Sequence, residues 1–253
     1  MEMLKMEIPI NPPPEPASDQ PIIYEVVRET WLTRKPHSES FFVAMFATFS
    51  LAIGSAAYWQ NWFHMADLMP ATYQSVFTQH EYWRLWTTIF AHADLGHIIS
   101  NSFLFFILGY FLYGYFGAKL FPLAALLGGG LANAFVLPSY EPEMTLIGAS
   151  GVVYWMGGAW LILYFFLSRQ KNLSHRILRT LGVGILLFMP AETFEPSVSY
   201  RTHFAGFVIG VLSGLFFYWR HRRKFLSAEV RQTIVEEPEV DIFAPDTRLE
   251  YYT

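Results

Sequence analysis

Ser150 lies in the stretch Gly148-Ala149-Ser150-Gly151, inside an apolar run that continues without a charge to Ser168. A serine hydroxyl is a weak nucleophile until a base takes its proton, and histidine is the usual base. His203 supplies one, at the head of a later apolar segment, HFAGFVIG. His97 and Asn101 stand four residues apart, on one face of a third apolar segment. Oxygen that becomes negative during attack needs fixed donors in a low-dielectric site. A helix beginning at Ser150 offers free backbone N–H groups at the positive end of its dipole, and Asn101 adds an amide donor. Tyr154 follows Ser150 by one turn, shares its face, and can hold an imidazole ring in place. No aspartate occupies a third position, and the nearest acids are Glu192 and Glu195 in the segment before His203. The residue types therefore point to a Ser150–His203 dyad.

Small residues in apolar helices are by default packing devices. Gly206, Gly210 and Gly214, spaced by four, are read that way: they let the helix of His203 approach that of Ser150. GASG alone carries the same bland meaning, and Asn133 reads as glue between helices. His92 reads as a hydrogen-bonded structural residue, and Glu81 with Arg84 as a pair that orders a loop. The argument for chemistry is positional. Ser150, His203, His97 and Asn101 come from three segments and fall at a common end of them.

Those segments must be membrane spans. Of the 253 residues 53% are hydrophobic and 15% charged, against roughly 25% charged in a soluble domain. Apolar blocks near the ~20 residues needed to cross a bilayer occur at about 41–60, 95–116, 120–139, 146–168, 177–191 and 202–219. The fifth is short and ends at Pro190. Between the first two, residues 61–91 interleave aromatics with Asp67, Glu81 and Arg84, a composition that lies half-sunk at the headgroup level. Lysine and arginine concentrate at Arg34, Lys35, Lys119, Arg169, Lys171, Arg176, Arg179 and in WRHRRK at 219–224. By the positive-inside rule both termini are cytoplasmic, and the four reactive residues lie toward the opposite side.

Residues 1–39 are proline-rich and read as a flexible cytoplasmic arm without the apolar core of a cleavable signal. Residues 40–224 form the membrane core. Residues 225–253 carry seven acids against two arginines and read as a disordered cytoplasmic tail. With no cysteine in the chain, thiolate nucleophiles, disulfides and cysteine metal sites are excluded. No cofactor, metal or nucleic-acid partner is expected.

Four blocks together resemble the rhomboid intramembrane serine proteases of the bacterial six-helix type. EYWRLWTTIFAHADLGHIISN is similar to that family's Trp-Arg loop, here Trp83 and Arg84 beside Glu81, followed by its histidine-rich approach to the second helix. GASG resembles the family's G-x-S-G, Tyr154 stands where an aromatic packs on the catalytic histidine, and HFAGFVIG is similar to H-x-x-G-x-x-x-G. The resemblance implies an all-α polytopic fold, a six-helix bundle with a half-embedded loop after the first helix. It implies Ser150 as nucleophile and His203 as base, with His97, Asn101 and Ser150 at the oxyanion. Tyr154, Gly148, Gly151, Gly206 and Gly210 support them. The implied partners are the lipid bilayer and single-span membrane proteins, cut in or near their transmembrane segment. The implied setting is a bacterial inner membrane, with the fifth helix (Gly182, Gly184, Pro190) as a lateral gate. The alternative is a non-catalytic relative that binds client helices. One position departs from the family pattern: Thr202 precedes the histidine where a small residue is usual, and is expected to crowd the Ser–His contact or hydrogen-bond beside it.

Overall fold

Uninterrupted apolar runs form helices because every backbone N–H and C=O can then be satisfied within the segment, which a membrane interior demands. The computed structural model describes residues 21–188 and 199–236. Among these, five helical segments are long and apolar enough to cross a membrane: Ser40–Trp59, Leu95–Phe116, Lys119–Ser139, Ser150–Leu167 and Tyr200–Leu226. The protein is a multi-pass helical membrane protein. Numbered in chain order, the helices are α1 (Ser40–Trp59), the short α2 (Met65–Leu68) and α3 (Arg84–Thr87), α4 (Leu95–Phe116) and α5 (Ala125–Val136). α6 (Ser150–Leu167), α7 (Leu173–Phe188) and α8 (Tyr200–Leu226) complete the set.

α6 is the central post. Its apolar window is 61% buried within the protein against 22% for α1, and Trp155, Met156, Ala159 and Leu163 are wholly enclosed. A helix buried on all sides is apolar all round, which is why the run from Gly151 to Leu167 has no polar stripe. α8 lies against α6 with backbone nearly touching backbone. A Cβ on Gly206 or Gly210 would fall within the van der Waals radius of Gly151 O or Trp155 O, respectively. The small-residue stripe thus brings the helix of His203 onto the helix of Ser150 in a fixed register.

Five, not six, described helices reach spanning length. The expected fifth span corresponds to α7, which starts earlier than expected, at Leu173, and has 16 residues. Its described part ends at Phe188. Pro190, Glu192 and Glu195 lie outside the described residues.

The tails also differ from expectation. Ile22–Glu29 and Val230–Glu236, within the presumed flexible arm and tail, form strands β1 and β2 of a two-stranded sheet. IIYEVV and VRQTIV are rich in β-branched residues, which favour the pleated conformation, and Arg231 pairs with Glu25 at 3.4 Å. Residues 27–230 form the helical unit, with the chain on either side in a second unit. Within the helical unit the Trp31 indole donates to Tyr115 O at 2.8 Å and packs edge-on against Phe225. That contact fixes a part of the arm that composition alone reads as loose. Residues 1–20 and 237–253 lie outside the described residues.

Candidate active site

Ser150 is the first residue of α6, and the loop that delivers it is anchored at each step. Leu146 forms an antiparallel bridge with Ala71, and its carbonyl also accepts from the Thr88 hydroxyl. Gly148 N–H donates to Thr88 O at 3.0 Å, and Ala149 N–H donates to His92 Nε2 at 3.2 Å. Gly148 has φ +115°, a conformation open to glycine and strained for side chains. A Cβ there would also meet His97 Cε1 at 2.7 Å and Nε2 at 2.8 Å. Glycine is required at 148 both by its dihedral and by the imidazole lying over it.

α4 presents His97 and Asn101. Asp94 caps it, its carboxylate accepting from His97 N–H at 2.8 Å, which fixes the first turn. His97 Nδ1 accepts a long bond of 3.5 Å from Ala93 N–H, so Nε2 is the nitrogen that carries the proton, and Nε2 faces Gly148. Asn101, one turn on, places Nδ2 3.8 Å from the same point. That amide nitrogen is buried and has no hydrogen-bond partner among the described residues. An unmet buried donor costs about 1–3 kcal/mol and calls for a reason. This one lies beside Gly148, just ahead of α6.

α8 presents His203. The His203 ring stacks on Tyr154 with centroids 4.1 Å apart and planes 11° from parallel. It therefore lies on the face of α6 that carries Ser150. Ser150 and His203 are both half-buried, and Ser150 Oγ makes no hydrogen bond among the described residues.

Thr202 is turned from this contact by the ~100° rotation between successive helical residues. Its methyl lies 2.9 Å from the position of a Cβ on Gly151. Its hydroxyl meets Ser199 Oγ, which in turn meets Tyr140 OH. Arg201 donates to Ser139 O. The unusual threonine therefore fastens the first turn of α8 to the end of α5, leaving the His203 ring on Tyr154. This accounts for the small residue at 151 as well.

The loop between α1 and α4 is organised by Arg84, which is buried. Its Nε donates to Glu81 at 2.6 Å and its Nη1 to Asp67 O and Pro70 O. Asn133 Nδ2 donates to Leu85 O at 2.8 Å and ties this loop to α5. Trp83 is exposed, as are Trp62, Phe63 and Tyr82, the amphipathic rings favoured at a membrane interface.

His92 lies outside the spans and is fully buried. Burial, and secondarily the neighbouring His97, push its imidazole down from an ordinary 6.5 to about 4. The groups around it are His97 and Asp94 from the start of α4, Ser55 and Trp59 from α1, and the uncharged loop at Gly148 and Ala149. Between pH 6.5 and about 4 the unfolded chain binds a proton at this residue and the folded protein does not, so stability falls as pH falls through that window. At 1.36 kcal/mol per pH unit the loss is about 3 kcal/mol. The melting-temperature advantage of the parent over His92→Gln should shrink from pH 7 to pH 4. A constant difference would contradict this assignment.

With this geometry in view, a model of the rhomboid domain matches residues 79–220, more than half of the chain. The chain belongs to the rhomboid family. The matched region contains His97, Asn101, Ser150, Tyr154 and His203. Similar rhomboid relatives include rhomboid protease GluP of Bacillus subtilis (strain 168), 30% identical over 145 residues, covering 56% of this chain and 26% of the relative. RHOMBOID-like protein 1 of Arabidopsis thaliana is 28% identical over 147 residues, covering 55% and 35%. Rhomboid-related protein 2 of Mus musculus is 27% identical over 149 residues, covering 53% and 47%. The chain thus spans from about a quarter to under half the length of these relatives.

Proposed function

We propose that this rhomboid protein is an intramembrane serine endopeptidase acting on single-span membrane proteins, with residues 40–224 as its catalytic core. The observation that carries the reading is convergence on the start of α6. His203 stacks on Tyr154 from one side, while His97 and the unpartnered Asn101 amide crowd Gly148 from the other.

Ser150 Oγ attacks the scissile carbonyl carbon as His203 takes its proton. Charge moves to the carbonyl oxygen, where Asn101 Nδ2–H, His97 Nε2–H and Ser150 N–H stabilise it. The C–N bond then breaks as His203 returns the proton to the departing amine. A water molecule, deprotonated by His203, attacks the resulting ester. Ser150 leaves with that proton, and the new carboxylic acid is released and ionises in water. A helical substrate must unwind first, because its carbonyls are already bonded and shielded, so segments with helix-breaking residues are preferred. Charge asymmetry supports cytoplasmic termini, and a bacterial inner membrane suits the compact core.

The test is cleavage of single-span proteins with Gly- or Pro-interrupted spans, co-reconstituted in liposomes. Cleavage by the parent and none by Ser150→Ala is the expected outcome. Asn101→Ala should lower kcat about 10²–10³-fold and leave KM nearly unchanged. Co-purification of intact single-span proteins without any cleavage would favour a client-binding rhomboid relative instead.

A further inference from the structure

His92 touches no position where a substrate would react, yet both of its ring nitrogens are engaged. Nε2 lies 3.2 Å from Ala149 N, and Nδ1 lies 2.9 Å from Ser55 Oγ. A backbone N–H can only donate, so Nε2 is bare and Nδ1 carries the proton. Ser55 Oγ therefore accepts from Nδ1 and gives its own proton to Leu51 O at 2.9 Å or Phe90 O at 3.1 Å. The Trp59 indole holds the His92 carbonyl at 2.7 Å, and the His97 ring meets the His92 ring edge-on, 5.0 Å between centroids. The imidazole is a bar fixed to α1 at one end and to the residue before the nucleophile at the other. Only the neutral, Nδ1-protonated form fits both ends.

That bar bears on the oxyanion. Ala149 N–H is drawn to His92, and Gly148 N–H to Thr88 O. Two successive donors ahead of the nucleophile are thus turned into the protein, whereas Ser150 N–H has no hydrogen bond among the described residues. We infer that His92 is a positioning residue for the reaction: by accepting the Ala149 N–H it sets the peptide planes before Ser150 and aligns the Ser150 N–H with the His97 and Asn101 donors. This rests on the reading of Ser150 as nucleophile, and the experiment separates the two.

Purified parent, His92→Leu, His92→Gln and Ser55→Ala are titrated with a fluorophosphonate reagent to obtain the maximal labelling rate and the half-saturating concentration. Leucine removes the acceptor, glutamine carries an oxygen near the place of Nε2, and Ser55→Ala releases the far end of the bar. His92→Leu should lose about 100-fold in maximal rate, the scale of a ~1 Å misplacement, with the half-saturating concentration unchanged. His92→Gln should recover most of that loss, and Ser55→Ala should fall between. If His92→Leu does not fold, Ser55→Ala against the parent provides the comparison. In parallel, nitrogen NMR of histidine-labelled parent should place the His92 proton on Nδ1. A glutamine variant that folds but labels no faster than the leucine variant would overturn the inference. So would a loss confined to the half-saturating concentration, or a proton on Nε2. A parent that takes no label defeats the protease reading instead, and the NMR result then decides the bar by itself.

Discussion

Replacing Ser150 by alanine should lower cleavage of a membrane substrate by about 10⁴-fold or more, and replacing His203 by alanine should do the same. The double variant should be no worse than either single one. The oxygen and the base act as one unit, so removing one leaves the other with nothing to do. The structure adds a condition: both variants must stay folded. Among the described residues Ser150 Oγ has no hydrogen bond to lose, and His203 gives up its ring contacts with Tyr154 and Tyr200, each worth about 0.5–1.5 kcal/mol. Circular dichroism and thermal unfolding should match the parent within that margin. If single losses multiplied in the double variant, two independent contributions rather than a dyad would be at work.

Gly210→Val should be among the most destabilising single changes in the membrane core. The first atom of the new side chain would overlap the carbonyl oxygen of Trp155, a backbone atom on the most enclosed helix. A flexible side chain could swing aside, whereas here α8 must lift from α6 along its length. Overpacking of this kind costs about 1–3 kcal/mol where side chains can adjust, and more where they cannot. Lifting α8 also draws His203 from Tyr154, so labelling of Ser150 should fall together with the melting temperature. Gly182→Ala on α7 is the control. A Cβ there meets nothing within 4 Å, so stability should hold or rise by up to about 1 kcal/mol through helix propensity. Equal effects at the two glycines would contradict the account of the α6–α8 contact.

Much of this was legible in the sequence because membranes impose simple rules. Length of apolar run located α1, α4 and α6 within a few residues and the start of α8, which runs seven residues past the apolar block to Leu226, and polar residues out of place in those runs marked Ser150, His203, His97 and Asn101. What escaped were pairings between distant segments. Ala149 and His92 are 57 residues apart, and neither residue type predicts the other. Thr202 gave a correct warning that something unusual sits beside the histidine, but not its direction, which depends on where Ser199 and Tyr140 end up. β1 and β2 come from segments dominated by proline and acid: IIYEVV at 22–27 stands out only as a short apolar patch for the membrane surface or local packing, and its partner strand, some 200 residues on, is not legible. α7 starts at Leu173, ahead of the apolar block, in a basic first turn whose Arg176 is bonded to Phe165 O.

The central claim is that Ser150 is an activated nucleophile with His203 as its base. The most direct measurement is fluorophosphonate labelling of the purified, folded protein in mild detergent, followed by mass spectrometric mapping of the adduct. A single adduct on Ser150 in the parent, absent from Ser150→Ala and from His203→Ala, is the predicted result. No adduct on a folded parent, or an adduct on another serine that persists in both variants, would contradict it.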